Sequence, residues 1–544
     1  MDKRVFGVET EYAVTGFAPD GSAVPAAISI EALRAAARRR LVHLPDRGSN
    51  GMYLRNGARF YIDCGAHPEY ATPECSNPWD IVRHVRAGER IMEDLIANPG
   101  GYRRDIRMLA FRSNVDYADP PATWGCHESY MHAGLPPAME ENLVPHLVTR
   151  VIFTGAGGFD GSWPGIRFLL SPRQPFLSKP VSSDSTANRG IFHDKQEPLA
   201  GKGFQRLHVL SGESVCSDTA AFLKVGTTAL VVAMIDAGVN PGRAVPLADP
   251  VAALRIVARD TRCAGALAMR GGGMMTALAV QRRYLQQAES YLRRSFMPEW
   301  AGEVCRLWRC TLGALENSPE SMSKILDWPL KQALYAARAA RRGIPWESLP
   351  VWNAALGLIQ GPLRSPALCG RPLTPETILE ARSAAGSLGT DADRTLSAGG
   401  LDWRGLGELL ALRRELFEID VRFGQLGPGG IFNSLDREGV LDHRIEGVGD
   451  PEAAAGEPPT DTRAKVRGQA VRELSRAAGT YICDWQAVFD LKRRRVLDLM
   501  HPLETGERWM AAENARELFP AHNAADADTL IAGLQRAHAR RADL

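Results

Sequence analysis

Strand-type alternation in two short N-terminal segments constrains this chain more than any other feature. The first is Arg4-Val-Phe-Gly-Val-Glu-Thr-Glu-Tyr12, and the second is Asn56-Gly-Ala-Arg-Phe-Tyr-Ile-Asp-Cys-Gly-Ala-His-Pro-Glu-Tyr70. Both are rich in β-branched and aromatic residues, which favour strands. Side chains alternate across a strand, so Glu9 and Glu11 share one face. Arg59, Tyr61 and Asp63 likewise share a face, and Phe60 and Ile62 take the other. A half-buried strand turns its apolar side to the core. Here the other side carries acids, a guanidinium and a phenol, a donor set suited to Mg²⁺ and nucleotide phosphate.

Bulk properties narrow the class. With 544 residues the chain can bury a large core and form more than one domain. A formal net charge of +2 gives no electrostatic case for nucleic acid or an acidic membrane, so neither is expected as a partner. No uncharged apolar run reaches the roughly 18 residues of a membrane span. The most apolar stretch, Ala220 to Ile235, contains Lys224 and reads as a buried helix ending at Gly238. The first residues, Met1-Asp-Lys-Arg, lack an apolar leader, and the nine cysteines lack paired Cys-x-x-Cys spacing. A reducing cytoplasm is the expected location. Cys305 and Cys310 have no second pair beside them and read as structural.

Along the chain, residues 4–16 read as a strand and 29–44 as a helix with Ile30, Leu33, Ala37 and Leu41 on one stripe. A strand follows at 57–63. Asn77-Pro78 opens a helix with a cap and a first-turn proline. Gly125-Cys-His-Glu-Ser-Tyr130 reads as a polar turn before a helical stretch, and Gln205–Leu210 as a strand with Arg206 and His208 on one face. Residues 275–345 read as helical. Residues 360–400, rich in Gly, Pro, Ser and Ala, read as an irregular excursion. The loose stretch Gly447–Thr460 is the expected boundary between domains 1–446 and 447–544, with a helix from Thr462 and a strand near Tyr481–Leu491 beyond it. This order lacks regular βαβ alternation and argues for an α+β fold with a largely antiparallel sheet. No Gly-x-x-x-x-Gly-Lys-Ser/Thr occurs, and Gly155-Ala-Gly157-Gly158 has the spacing of a turn, so a nucleotide would bind on a sheet face.

The assembled motifs resemble the Pup ligase and Pup deamidase family, carboxylate-amine ligases related in fold to glutamine synthetase; Pup is a small ubiquitin-like protein modifier. The resemblance is carried by Gly7-Val-Glu-Thr-Glu-Tyr12, Leu54–Asp63, His67-Pro-Glu-Tyr-Ala-Thr-Pro-Glu74, Gly125–Tyr130, Arg206-Leu-His-Val209, Phe222-Leu-Lys-Val-Gly-Thr-Thr228, Thr462–Gly468 and Asp484-Trp485, in preserved order. It implies a glutamine-synthetase-like large domain with a small C-terminal domain. It implies that Glu9, Tyr61 and Glu69 hold Mg²⁺, that Arg59, Thr72 and Trp485 contact ATP, and that Asp63 is the proton acceptor. Glu11 joins the metal set as a further candidate. Arg206 and His208 either face the nucleotide or pair with acids. Asp63 has a second reading as the cap of the following turn, and Tyr61 as an ordinary strand aromatic. His67, before Pro68, reads as fixing the turn. His127 and Glu128 are candidates to line the site. The basic stripe of residues 333–342 reads as a solvated helix face or as an attraction for an acidic partner.

The implied reaction is ATP-dependent isopeptide formation between the C-terminal glutamate of a Pup-like modifier and lysines of protein substrates. The spacer Cys64-Gly65-Ala66 and the short link between the first two strands resemble the ligase branch. The alternatives are a deamidase that also cleaves Pup conjugates, a small-molecule ligase of the same fold, and a non-catalytic modifier-binding protein. One segment departs from the family pattern: His193-Asp-Lys-Gln-Glu-Pro-Leu-Ala-Gly201 has Lys195 where an arginine is usual, which keeps the charge and loses the bidentate fork.

Overall fold

The computed structural model describes residues 4–48, 50–101, 105–118, 121–183, 188–195, 198–201, 203–477 and 480–512. Glu197, in the divergent segment, lies outside them.

The centre of the molecule is a nine-stranded sheet. Its strands are β1 (Phe6–Glu11), β2 (His43–Pro45), β3 (Gly51–Leu54), β4 (Arg59–Asp63), β5 (His67–Ala71), β6 (Cys126–His132), β7 (Lys179–Ser182), β8 (Gly190–Lys195) and β9 (Gln205–Val209). Their order across the sheet is β7-β8-β9-β6-β1-β5-β4-β3-β2, and only the β7–β8 pair is parallel. The mainly antiparallel α+β architecture expected from the sequence is therefore present.

Register places the chemistry. Glu11 lies opposite Glu69, Tyr61 opposite Glu69, Asp63 opposite His67 and Glu9 opposite His127. His208 lies opposite Ser129 on the same face. Residues directly opposite share a face, so one polar face collects side chains from five strands. The other face is apolar and covered. Phe60 and Tyr70 pack with helices α1 (Ala26–Arg40) and α2 (Pro78–Ala97). Phe6, Val8, Leu207 and Val209 pack with α3 (Pro136–Thr149) and α4 (Asp218–Asp236). As expected, α2 begins at Asn77, whose side chain accepts the Asp80 N–H at 2.9 Å. As expected too, α4 is a core helix: Lys224 is buried with its Nζ donating to the Glu213 carbonyl at 2.9 Å, and Gly238 follows with φ +79°. This helix is long and apolar enough to cross a membrane, but its surface is buried inside the protein.

Four expectations are corrected. The 4–16 strand breaks at Tyr12, whose N–H turns to the Pro68 carbonyl; Ala13–Phe17 leaves to form a separate ribbon with Arg107–Phe111. Residues 125–130 are not a turn but the start of β6, because the buried Glu128 is neutralised by Arg150 at 2.5 Å and so tolerates a strand interior. Residues 360–400 are helical over Gln360–Leu363, Pro375–Ala384 and Ser387–Ala398. Several of their Gly and Pro mark ends: Thr374 forms a capping box with Thr377, with Pro375 in the first turn, and Gly386 separates two helices at φ +57°. The single strand expected near 481–491 is a hairpin, Tyr481–Cys483 with Ala487–Asp490, within a four-stranded C-terminal sheet. The helix from Thr462 is α5 (Arg463–Leu474), capped by that threonine.

Candidate active site

Among the described residues, two groups of acid and imidazole atoms that could hold a cation lie on the polar face. Glu11, Asp63 and Glu69 form one, and Glu9, His127 and His208 the other; within each, one atom per residue lies within 4.8 Å of the others. Glu69 is the most enclosed, 2 % exposed, and its Oε1 has no hydrogen-bond partner among the described residues. Burial raises its pKa well above the carboxylate range, and the charges of Glu9, Glu11 and Asp63 add to that. The Tyr61 phenol bonds Glu69, and burial together with Glu69 and Glu9 raises the phenol well above its ordinary value. Acids held this close with an orphaned oxygen fit a hard divalent cation.

Glu11 behaves differently. Burial pushes its carboxyl up, but the His67 hydrogen bond and the Gly125 N–H are among the contacts that outweigh it and hold it below its ordinary value. His67 Nδ1 lies 3.2 Å from Glu11 Oε2, which also accepts the Gly125 N–H at 2.5 Å. The His67 ring stacks on Trp124 at 5.3 Å. His67 thus fixes an acid of the site as well as the turn.

Glu9 faces Arg206 at 3.4 Å, His127 at 3.8 Å and His208 at 4.0 Å. Arg206 and His208 both reach this acid, one of the two readings the sequence leaves open. Burial, with His208 and Arg173 next, pushes His127 down to about 3, so its imidazole is neutral and offers a lone pair. Glu128, its neighbour in sequence, points to the opposite face and belongs to the core.

Asp63 ends β4 at the rim, half-buried. Burial raises its pKa, the Cys64 N–H opposes this, and Glu11 and Glu9 add to the rise. Its carboxyl accepts the Cys64 N–H in the turn and at the same time faces the acid cluster. The turn itself needs left-handed backbone at Gly65 (φ +82°) and Ala66 (φ +63°).

Beside Glu9 a cleft opens, lined among others by Thr72, Glu74, Arg206, Arg463 and Trp485. Three residues expected at the nucleotide, Thr72, Trp485 and Arg206, thereby share one cavity wall. Thr72 Oγ1 accepts the Val8 N–H at 3.1 Å. Trp485 meets Tyr53 edge-on at 5.2 Å, and the Arg467 guanidinium lies 4.7 Å from its ring. Arg463 and Arg467 both pair with Glu74. Arg59 does not line this cleft; it stacks over the Tyr61 ring at 4.0 Å on the other flank. Sequence reasoning left out Glu74, Arg463 and Arg467 as a group, and Asp46, the partner of Arg59. The motifs holding Glu74 and Arg463 were visible, but their pairing across 389 positions was not. Of the basic stripe at 333–342, Arg338 and Arg342 are paired with Glu415, and Arg342 also with Glu408.

Comparison with known proteins gives a consistent result. The family described as Pup-ligase protein matches residues 4–356 and 403–489. A Pup–protein ligase of Nakamurella multipartita is 36% identical over 63% of this chain and 76% of that protein. A Pup–protein ligase of Mycobacterium sp. (strain KMS) is 31% identical over 89% of this chain and 93% of that protein. Among solved structures, the complex between the prokaryotic ubiquitin-like protein Pup and its ligase PafA superposes with a TM-score of 0.68 at 23% identity, covering 98% of this chain and 93% of the other. PafA in complex with ADP gives 0.61 at 23% identity, with 90% of each chain covered.

Proposed function

The chain belongs to the Pup-ligase family, and from that premise we propose that it is an ATP-dependent ligase joining the C-terminal glutamate of a Pup-like modifier to lysines of protein substrates. The observation that supports this most is the single sheet face on which a buried acid cluster, a rim aspartate and a cleft lined by Thr72, Arg206 and Trp485 adjoin. Glu9, Tyr61 and Glu69, with Glu11, would hold Mg²⁺; Arg59, Thr72, Trp485, Arg206 and His208 would hold ATP. The cation supplies charge neutralisation on the phosphate oxygens. The chain's own residues do the rest. Arg206 offers positive charge beside Glu9, where anionic oxygens would otherwise repel the acids. Asp63 takes the proton of the attacking lysine. Deprotonating a free lysine costs roughly 4 kcal/mol at neutral pH, and a carboxylate of raised pKa at the rim lowers that barrier during attack. In the same reading residues 1–446 are the catalytic domain and 447–544 a small domain that contributes Trp485, and the enzyme works in the cytoplasm, where its nine free cysteines stay reduced.

The test is direct. Purified protein, ATP, Mg²⁺ and a modifier ending in Gly-Gly-Glu should give higher-mass lysine adducts with ADP and phosphate formed in step. Asp63→Asn should fold and bind nucleotide but lose about 10²–10⁴-fold in conjugation rate. Conversion of a C-terminal glutamine to glutamate without adducts would move the chain to the deamidase activity.

A further inference from the structure

Arg59 is held on one side by a group that the proposed chemistry does not use. Asp46, 4 % exposed, follows β2 and accepts from Arg59 Nε at 2.9 Å and again from Nη2 on the same Oδ2. Asn50 Oδ1 accepts from Nη2 at 3.1 Å. With Tyr61 beneath, the guanidinium is fixed from three directions. A side chain as rotamer-rich as arginine loses freedom when it binds a ligand, and fixing it beforehand removes that loss.

Asp46 is in turn set by the C-terminal hairpin. It bridges Cys483, and the next N–H, of Arg47, donates to the Cys483 carbonyl at 3.0 Å. Arg47 also pairs with Asp484 at 3.4 Å. The Asp484 carboxylate accepts the N–H groups of Gln486 and Ala487, both at 2.8 Å, and so closes the turn that presents Trp485. One hairpin therefore sets Trp485 directly and Arg59 through Asp46.

We propose that Asp46 is a positioning residue: it pre-orients Arg59 for the nucleotide, and its own place is fixed by the C-terminal hairpin. This rests on the reading of Arg59 as a nucleotide contact. Calorimetry with MgATP on the full chain tests it. Asp46→Asn, which keeps shape and removes charge, should weaken binding about tenfold. Asn50→Ala should weaken it about threefold, in the same direction. Neither change should weaken binding further in an Arg59→Met background, because both act through Arg59; a merely structural role would add in full. Additive losses, or wild-type affinity in a folded Asp46→Asn protein, overturn the inference. If Asp46→Asn does not fold, the Asn50→Ala cycle decides alone on the same criterion. A wild-type protein that binds no MgATP overturns the functional reading itself, and this inference with it.

Discussion

At Glu69 the fold keeps a carboxylate beside three other acids, and its pKa is raised for that reason. A raised carboxyl pKa means the folded state holds the proton more tightly than the unfolded chain. Its contribution to stability is therefore lost as pH rises from the unfolded value, 4.5, through the folded one. At neutral pH without a cation the cluster is thus a source of instability. Glu69→Gln should leave the metal-free protein at least as stable as wild type in thermal unfolding. Mg²⁺ should stabilise wild type, by about 2.7 kcal/mol at a hundredfold excess over Kd, and leave the variant unmoved. Equal Mg²⁺ stabilisation of both proteins would remove Glu69 from the cation site. These acids were legible in the sequence because period two alone fixes the face of Glu9, Glu11, Tyr61 and Asp63. His127 reads from the sequence as part of a turn but lies on a strand: that strand carries Glu128 on the buried side, made tolerable by the distant Arg150 together with the Tyr130 hydroxyl. Asp46 was not legible at all, since nothing local ties it to Arg59.

At the scale of elements, the back of the sheet is as constrained as the front. Gly88 lies inside α2, where glycine is disfavoured by about 1 kcal/mol relative to alanine. A Cβ there would lie 2.4 Å from Cδ1 of Tyr70, the residue after Glu69 on β5. The glycine lets α2 approach β5 closely enough to seal the covered face beneath the acid cluster. Gly88→Ala should therefore destabilise by about 1–3 kcal/mol in urea unfolding despite the gain in helix propensity. A more stable variant would show that the Tyr70 ring yields freely. Elements with strong end signals were legible: α2 from Asn77-Pro78, α4 from its apolar run, β9 from its alternation. The 360–400 region was not. Its glycines and prolines, read as loop markers, are helix punctuation, and these helices lie between the two stretches that match the family. Their burial rests on partners elsewhere: Leu368, Ile378 and Leu396 join a core with Trp352 and Leu406.

At the scale of the whole molecule, Glu74 joins the nine-stranded sheet to the C-terminal part. It pairs with Arg463 at 2.7 Å and with Arg467, both on α5, while Arg463 also reaches the Leu199 and Leu499 carbonyls at 2.8 Å. Burial pushes the Glu74 carboxyl up, but Arg467 and Arg463 overcome this and hold it down to about 2. Here the linkage runs opposite to that of Glu69. A depressed pKa contributes stability that is fully present above the unfolded value and lost as pH falls toward the folded one. From 4.5 to about 2 the contribution approaches about 3 kcal/mol. Glu74→Gln keeps the shape and some hydrogen bonding but leaves two buried guanidiniums without their anion. It should lower stability at pH 7 by an amount of this order. The gap to wild type should stay constant down to about pH 5, then narrow by about 1.4 kcal/mol for each further unit of pH. Urea midpoints of both proteins from pH 7 to pH 3.5 would show it. A gap that does not change with pH would mean the Glu74 charge contributes nothing and only its shape matters. Because Arg467 lies against Trp485, MgATP binding by Glu74→Gln should weaken in step with the loss of the clamp. Unchanged affinity in the folded variant would show that the nucleotide end is set from the hairpin alone.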